Sequence, residues 1–197
     1  MDLRLEEDAR QWSALAMVRR PWRAEFFAVM VSAIQAASQG LPCRVLELGS
    51  GPGFLVEHLL KALPSVTVVA LDFSAPMHRL AVQRLGMLAA RVQFVERSFR
   101  EPGWAQGLGQ FEHVVTNQAV HELRHKHRAP ALHAEVRACL AASGSYLVSD
   151  HYFGEGGMSN EQLYMSVLEQ KTALADAGFA SVEQLLLKGG MVLHRAT

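Results

Sequence analysis

The segment from residue 47 to residue 53 reads ELGSGPG and places one acidic side chain ahead of three closely spaced glycines. It follows the apolar run CRVLEL and precedes FLVEHLLKALP, so a buried strand should end here and a helix should begin. Glycines at such a turn let the backbone bend sharply and approach a ligand closely. The segment is therefore predicted to be a ligand-binding loop, and a loop in which glycine only permits the turn is the alternative.

The spacing within this loop disfavours three common kinds of site. The dinucleotide fingerprint G-x-G-x-x-G needs glycine where Phe54 stands. A phosphate loop ends in Gly-Lys-Ser/Thr, and no lysine follows Gly53. A hydrolase elbow, G-x-S-x-G, needs glycine where Leu48 stands.

A second chemical pattern is HELRH at residues 121–125, which satisfies the H-E-x-x-H signature of zinc proteases. On a helix His121 and His125 would share a face, but zinc would still need a third protein ligand and an open position. The pattern begins four residues after Asn117, in the loop that leaves a predicted strand. We therefore predict no metal site here and interpret the segment as a solvated or ligand-facing loop.

Composition bounds the class of protein. The chain has 197 residues, half of them apolar, and its 19 basic residues balance 19 acidic ones. One globular domain is expected, and no net charge favours nucleic acid or an anionic membrane. The charged start MDLRLEEDAR does not suit a signal peptide, and two cysteines suit reduced thiols, so a cytoplasmic location is expected. No segment is apolar enough over the length of a membrane span, and the oligomeric state is left open.

Helical and strand patterns alternate along most of the chain, which predicts a parallel sheet between helices. The predicted helices are 3–19, 21–39, 54–64, 74–88, 129–141 and 160–177, with a short helical turn near residue 104. The predicted strands are 43–50, 66–72, 91–97, 111–117, 145–152, 181–187 and 191–196. Gly189-Gly190 predicts a tight hairpin between the last two strands. The fold class is α/β: a Rossmann-like three-layer sandwich with a mostly parallel seven-stranded sheet, an antiparallel last strand and extra N-terminal helices.

The order of these motifs resembles the class I S-adenosylmethionine-dependent methyltransferases. Their first motif, an acidic residue followed by G-x-G-x-G, is matched by residues 47–53, and the acid that ends their second strand is matched by Asp72 in VTVVALDFS. RVQFVERSF resembles their third strand and adenine-binding turn, FEHVVTNQAVHEL their fourth strand and its loop, and the closing hairpin their reversed last strand. The resemblance covers roughly residues 41–195 and implies that S-adenosyl-L-methionine is the methyl donor and S-adenosyl-L-homocysteine the product. It implies a donor-binding domain at residues 41–197 and an N-terminal helical lid or cap at residues 1–40.

The resemblance also implies which residues bind the donor. Asp72 should accept hydrogen bonds from the two ribose hydroxyls, because charge-assisted hydrogen bonds are strong. The alternative for Asp72 is a helix N-cap, a role for which Ser74 competes. The full predicted donor-binding set is Glu47, Gly49, Ser50, Gly51, Gly53, Asp72, Phe73, Met77, Ser98, Phe99, Asn117 and Gln118.

Three residues near the carboxyl ends of predicted strands are candidate catalytic groups: His121, His151 and Tyr152. A general base is needed only if the acceptor holds its proton near neutral pH. Methyltransferases that act on the amino groups of DNA bases carry the motif Asp/Asn-Pro-Pro-Tyr/Phe after the fourth strand. The present chain keeps only the Asn of that motif, at Asn117. A small-molecule acceptor, methylated on oxygen or nitrogen, is therefore expected.

Three other functions stay open at this stage. The first is a non-catalytic S-adenosylmethionine-binding or scaffold protein of the same fold, and the others are an NAD oxidoreductase and a zinc hydrolase. One basic cluster is not explained by any of them: Arg19, Arg20 and Arg23, near Trp22, either contact an anion or form a solvated helix junction. The solvated junction is the preferred interpretation.

Overall fold

The computed structural model describes residues 1–197, and they form two compact units, Met1–Trp104 and Ala105–Thr197. The helices are α1 Glu6–Arg19, α2 Arg23–Ser38, α3 Phe54–Ala62, α4 Ala75–Leu85, α5 Ala129–Cys139 and α6 Val167–Asp176. The strands are β1 Cys43–Leu48, β2 Val66–Asp72, β3 Val92–Glu96, β4 Phe111–Asn117, β5 Leu140–His151, β6 Val182–Lys188 and β7 Met191–Ala196. None of the helices combines the length and the apolar character that a membrane span requires.

The strands of the first unit lie in the order β3-β2-β1 and are all parallel. Almost every residue of β1 and β2 is buried, as expected of parallel strands that are covered on both faces. The register pairs Leu48 with Leu71 and Asp72 with Glu96. The carboxyl ends of the three strands therefore meet at one edge, where the glycine loop begins.

The two N-terminal helices belong to this first unit. Helix α2 buries an apolar stripe at spacings of three and four residues and packs against α3. The stripe consists of Phe26, Phe27, Met30 and Ile34. Helix α1 packs instead against α4.

The second unit has the strand order β4-β5-β7-β6. Strands β4 and β5 are parallel, whereas β7 is antiparallel to both β5 and β6. The β6–β7 turn has positive φ angles of 57° at Gly189 and 75° at Gly190, as the glycine pair predicts. Helix α5 packs on β5 and on α6, and α6 packs on β6 and β7.

Strand count and strand direction confirm the predicted fold class. The sequence-based bounds differ most from the structure at two places: β5 begins at Leu140, five residues earlier than predicted, and α6 begins seven residues later than predicted. Ser166 ends the preceding irregular segment because it forms a capping box with Glu169, in which each side chain bonds the other residue's backbone N–H. The predicted division of the chain near residue 40 stays a prediction.

Candidate functional site

The glycine loop follows β1, and its backbone has a conformation that only glycine adopts readily. Gly49, Gly51 and Gly53 have φ angles of 68°, 51° and 78°. The N–H groups of Gly49 and Ser50 donate to the Leu71 carbonyl at 2.8 and 3.1 Å. The loop is therefore fixed beside the carboxyl end of β2.

Asp72, the last residue of β2, points its carboxylate at this loop. Its Oδ2 accepts from the Gly51 N–H at 2.8 Å and its Oδ1 from the Ser74 N–H at 2.9 Å, and the residue is 6% exposed. The side chain of Ser74 accepts from the Met77 N–H and is the N-cap of α4. Asp72 is consequently not the N-cap and is held at the edge of the loop.

Two buried polar atoms at the loop have no hydrogen-bond partner. They are Oε2 of Glu47 and Oγ of Ser50, in residues that are 3% and 4% exposed. Burial, and next the charge of Asp72, raise the pKa of Glu47 well above its ordinary value. Because buried polar atoms are nearly always paired, these two indicate a ligand with polar groups in this place. The loop and its orphaned atoms thus fit a cofactor with an amino group.

The predicted adenine-side residues lie on the same unit. The ring of Phe73 carries the Arg4 guanidinium 5.1 Å from its centroid, and Met77 is 1% exposed within α4. Ser98 and Phe99 are half-buried in the turn that follows β3, where Ser98 Oγ accepts from the Arg100 N–H.

The N-terminal segment contacts the ends of β1 and β2. The Ser74 hydroxyl donates to the Leu3 carbonyl, and a Cβ added to Gly51 would lie 4.0 Å from the Trp12 ring. The solvated-junction interpretation is wrong for Arg23, which is only 3% exposed and lies over the Trp12 ring.

In the second unit Asn117 is the last residue of β4, and Gln118 follows it. The Asn117 Oδ1 accepts from the Ser149 hydroxyl at 2.9 Å. Gln118 has a φ of 57°, and its Nε2 lies 2.8 Å from Nε2 of His151. Both side chains therefore contact the end of β5, where His151 stands.

His121 is paired with a buried carboxylate that sequence analysis did not select. Its Nδ1 lies 2.7 Å from Oδ1 of Asp150, and its backbone N–H donates to Oδ2 at 2.7 Å. Burial alone would raise the pKa of Asp150, but the charge and hydrogen bonds of His121 lower it below its ordinary value. An ionised Asp150 therefore orients the imidazole and leaves its Nε2 as the atom that can take up a proton.

The structure brings two of the three predicted catalytic residues together. The rings of His121 and His151 are 5.6 Å apart, and the Tyr164 ring lies 5.6 and 5.9 Å from them. Tyr152 is not part of this group, since its hydroxyl donates to the Glu155 carbonyl at 3.3 Å. The tyrosine beside the two histidine rings is instead Tyr164, which comes from the segment that precedes α6.

A small cavity in the second unit opens onto these histidines. Its polar lining is His121, His125, Lys126, His133, Asp150, His151, Tyr164 and Gln170. The Lys126 ammonium is 2.6 Å from Oε1 of Glu169, so its charge is neutralised locally.

The HELRH segment does not form the helix that zinc proteases need. Residues 120–123 make one 3-10 turn, and Arg124 has a φ of 66°, so His121 and His125 do not share a helical face. The structure contains no group of three or more His, Cys, Asp or Glu residues placed to hold a metal.

The model of the methyltransferase domain family matches residues 45–144. A malonyl-[acyl-carrier protein] O-methyltransferase from Geobacter sulfurreducens is 30% identical to the chain, over 72% of the chain and 57% of the relative. The chain thus spans little more than half of that relative's length.

Solved methyltransferase structures have the same fold. Human N-acetylserotonin methyltransferase, solved with S-adenosylmethionine, superposes with a TM-score of 0.73 at 15% identity and covers 98% of this chain and 56% of its own. DhpI, solved with S-adenosylhomocysteine, gives a TM-score of 0.72 at 20% identity over 100% of this chain and 98% of its own.

The matched family region contains the glycine loop, Asp72 and the whole of α5. The family match and the bacterial relative, together with the fold, confirm the resemblance that the sequence motifs indicated. The chain belongs to the class I S-adenosylmethionine-dependent methyltransferase family.

Proposed function

We propose that this chain transfers a methyl group from S-adenosyl-L-methionine to an oxygen atom of a small molecule and releases S-adenosyl-L-homocysteine. The observation that supports this proposal most directly is the glycine loop. There the buried Asp72 accepts a hydrogen bond from the Gly51 N–H, and Glu47 keeps one carboxyl oxygen without a partner. The bound donor would supply an electrophilic methyl group on a sulfonium.

In this proposal Asp72 binds the ribose hydroxyls. A carboxylate has about four lone-pair sites, so one that accepts amide hydrogen bonds can also accept from ribose hydroxyls. Glu47 takes the donor's ammonium group, and the glycines let the backbone lie against the methionine part. The remaining donor contacts are assigned to Ser50, Phe73, Met77, Ser98, Phe99, Asn117 and Gln118. The N-terminal helices act as a lid over the donor.

The His121–Asp150 pair supports an oxygen acceptor. A neutral hydroxyl is a weak nucleophile, and a base that removes its proton in the transition state speeds attack by roughly a hundred- to ten-thousandfold. His121 Nε2 would take the hydroxyl proton, and the imidazolium would be stabilised by Asp150, which lies 2.7 Å from Nδ1. The acceptor's O–H bond breaks as its bond to the methyl carbon forms, and the electron pair of the S–CH₃ bond stays on sulfur.

The bacterial relative is also named as an O-methyltransferase, and its acceptor is a malonyl group on an acyl-carrier protein. This name supports transfer to oxygen. We assign a hydroxyl rather than a carboxylate, because a carboxylate needs no base and would enter a cavity that already holds the buried Asp150.

The test combines binding with turnover. Calorimetric titration should give binding of S-adenosylmethionine and S-adenosylhomocysteine and none of NAD, and isotope-labelled donor should methylate members of a panel of phenols and alcohols. Binding of NAD alone would contradict the methyltransferase assignment. Binding of the donor with no transfer to any compound or cell extract would favour the non-catalytic scaffold instead.

A further inference from the structure

One residue of the cavity in the second unit has a hydrogen-bonding atom that no group of the protein satisfies. His133 lines this cavity from α5 and is 2% exposed, and its Nδ1 is buried without a partner. No other residue of the lining has an unpaired buried side-chain nitrogen or oxygen. Because buried polar atoms are nearly always paired, this nitrogen indicates a polar group of a ligand.

His133 lies deeper in the unit than the pair of His121 and Asp150. Tyr146, Val148 and Asp150 share one face of β5, because alternate residues of a strand point to the same side. Asp150 and Val148 line the cavity. The His133 ring lies 5.6 Å from the Tyr146 ring, which is farther from the carboxyl end of the strand. The cavity therefore runs from His121, beside Asp150, towards His133.

The polar groups nearest to these residues already have partners within the protein. Asp150 accepts hydrogen bonds from the His121 N–H and from the His151 N–H, both at 2.7 Å. Gln170 donates from its Nε2 to the His151 carbonyl at 3.0 Å. These contacts leave His133 as the residue that can recognise a second polar group of an acceptor held at His121.

The group that pairs with His133 should be uncharged. Burial is the main cause that lowers the pKa of His133 to about 4, so its imidazole is neutral near pH 7. A neutral imidazole nitrogen donates or accepts according to its tautomer, and a hydroxyl can pair with either form. A carboxylate can only accept, and it would lie near the ionised Asp150.

The rest of the lining favours an aromatic acceptor. Leu163 and Leu174 supply apolar walls, and the rings of His151 and Tyr164 lie beside that of His121. Apolar and aromatic surfaces of this kind pack well against a flat ring. A phenol hydroxyl has a pKa of about 10, and an aliphatic hydroxyl is a far weaker acid, so an imidazole base removes the proton of a phenol more readily.

We propose that the acceptor is an aromatic compound with two hydroxyl groups, of which one is methylated beside His121 and the other is hydrogen-bonded by His133. His133 would thereby select dihydroxy aromatic acceptors over those with a single hydroxyl. The hydroxyl at His133 keeps its O–H bond, and only the proton of the hydroxyl at His121 is transferred. The inference rests on the proposed function and deepens it by naming the class of acceptor.

The experiment measures kcat/KM with isotope-labelled S-adenosylmethionine for phenol and for catechol, resorcinol and hydroquinone. The wild-type protein should use at least one of the three benzenediols roughly ten- to a hundredfold better than phenol, the size expected when a buried polar group is otherwise left unpaired. In His133→Leu this ratio, counted per hydroxyl group, should fall towards one, with kcat/KM for phenol unchanged. The loss should appear in KM and not in kcat, because His133 does not contact the reacting oxygen.

His133→Asn guards against a leucine variant that fails to fold. Its amide keeps a hydrogen-bonding group near the position of Nδ1, so its ratio should lie between those of the wild type and His133→Leu. Wild-type affinity for S-adenosylhomocysteine, measured by calorimetry, shows that each variant is folded. His127→Leu, at an exposed position, should keep the wild-type ratio.

Two results would overturn the inference and leave the proposed function standing. The first is an unchanged ratio in both His133 variants, which would mean that water, and not the acceptor, satisfies the nitrogen. The second is a wild-type protein that methylates other hydroxyl compounds but shows no preference for any benzenediol over phenol. Failure of the wild-type protein to bind S-adenosylmethionine or S-adenosylhomocysteine would overturn the proposed function and this inference with it.

Discussion

At the scale of single residues, Asp72 carries the most specific expectation. Asp72→Asn should weaken S-adenosylhomocysteine binding by roughly ten- to a hundredfold, because a neutral amide forms weaker hydrogen bonds with the ribose than a carboxylate does. Titration calorimetry measures this change. Glu96 ends β3, pairs with Asp72 in the register and is exposed, so Glu96→Gln is the matched control. An unchanged dissociation constant in Asp72→Asn would remove the ribose assignment.

His121 should matter for turnover and not for donor binding. His121→Gln should lower kcat by about a hundred- to ten-thousandfold and leave the affinity for S-adenosylhomocysteine unchanged, because only the proton acceptor is lost. The rate of this variant should also lose its dependence on pH where an imidazole titrates. These values come from initial rates with an acceptor found in the labelled-donor panel. His127→Gln, at an exposed position, should behave as the wild type; a similar loss in both variants would contradict the assignment.

Sequence motifs identify the residues of one loop but not partners from distant strands. Glu47, the glycines and Asp72 were predicted because their types and spacing match the first two motifs of the family that the sequence resembles. Asp150 is 29 residues from His121, and only the strand pairing that sets Asn117 beside Ser149 makes their contact possible. The burial of Arg23 was not predicted, because a charged side chain suggests solvent and nothing in the sequence gives its contact with Trp12.

At the scale of elements, close packing of α3 and α4 depends on Gly53. A Cβ there would lie 3.0 Å from the Cβ of Ala81, and φ is +78°. Gly40 has nearly the same φ, +79°, with no atom within 4 Å of its Cβ position. Gly40→Ala should therefore report the backbone cost alone, on the order of 1–2 kcal/mol.

Gly53→Ala adds the steric contact to the same backbone cost. It should destabilise the protein by about 1–3 kcal/mol more than Gly40→Ala, as overpacking of a core does. Urea unfolding of the two variants measures the difference in the free energy of unfolding. Equal destabilisation would mean that α4 moves away at no cost.

Most elements could be predicted because apolar runs and glycine or proline breaks set them locally. Strands β2 and β4 and the last hairpin lie where the sequence predicts them. The error in α6 has a local cause, since S-x-x-E at residues 166–169 is a capping box that marks the true start. Tyr164 was consequently predicted within a helix, and its contact with the histidine rings had no sequence signal.

At the scale of the whole molecule, two buried histidines couple stability to pH. His133 and His194 are 2% and 0% exposed. Burial is the main cause that lowers the pKa of each to about 4. The unfolded chain has histidines of ordinary pKa, near 6.5, so between pH 6.5 and 4 it binds protons that the folded protein does not. The free energy of unfolding should therefore fall as the pH is lowered through this window and should not depend on these groups below it.

His133→Leu removes one of the two titrating groups and fills most of the same space. Linkage sets the contribution of each histidine at up to about 1.4 kcal/mol per pH unit, so the variant's unfolding free energy should decline less steeply between pH 6.5 and 4 than that of the wild type. Its stability relative to the wild type should accordingly improve as the pH falls, even if the substitution is destabilising at pH 7. Urea unfolding at several pH values in this window measures both slopes, and His127→Leu, at an exposed site, should keep the wild-type slope. Parallel curves for His133→Leu and the wild type would show that His133 is protonated in the folded protein. The conclusion that His133 is buried in its neutral form, with its ring centroid 5.6 Å from that of Tyr146, would then be wrong.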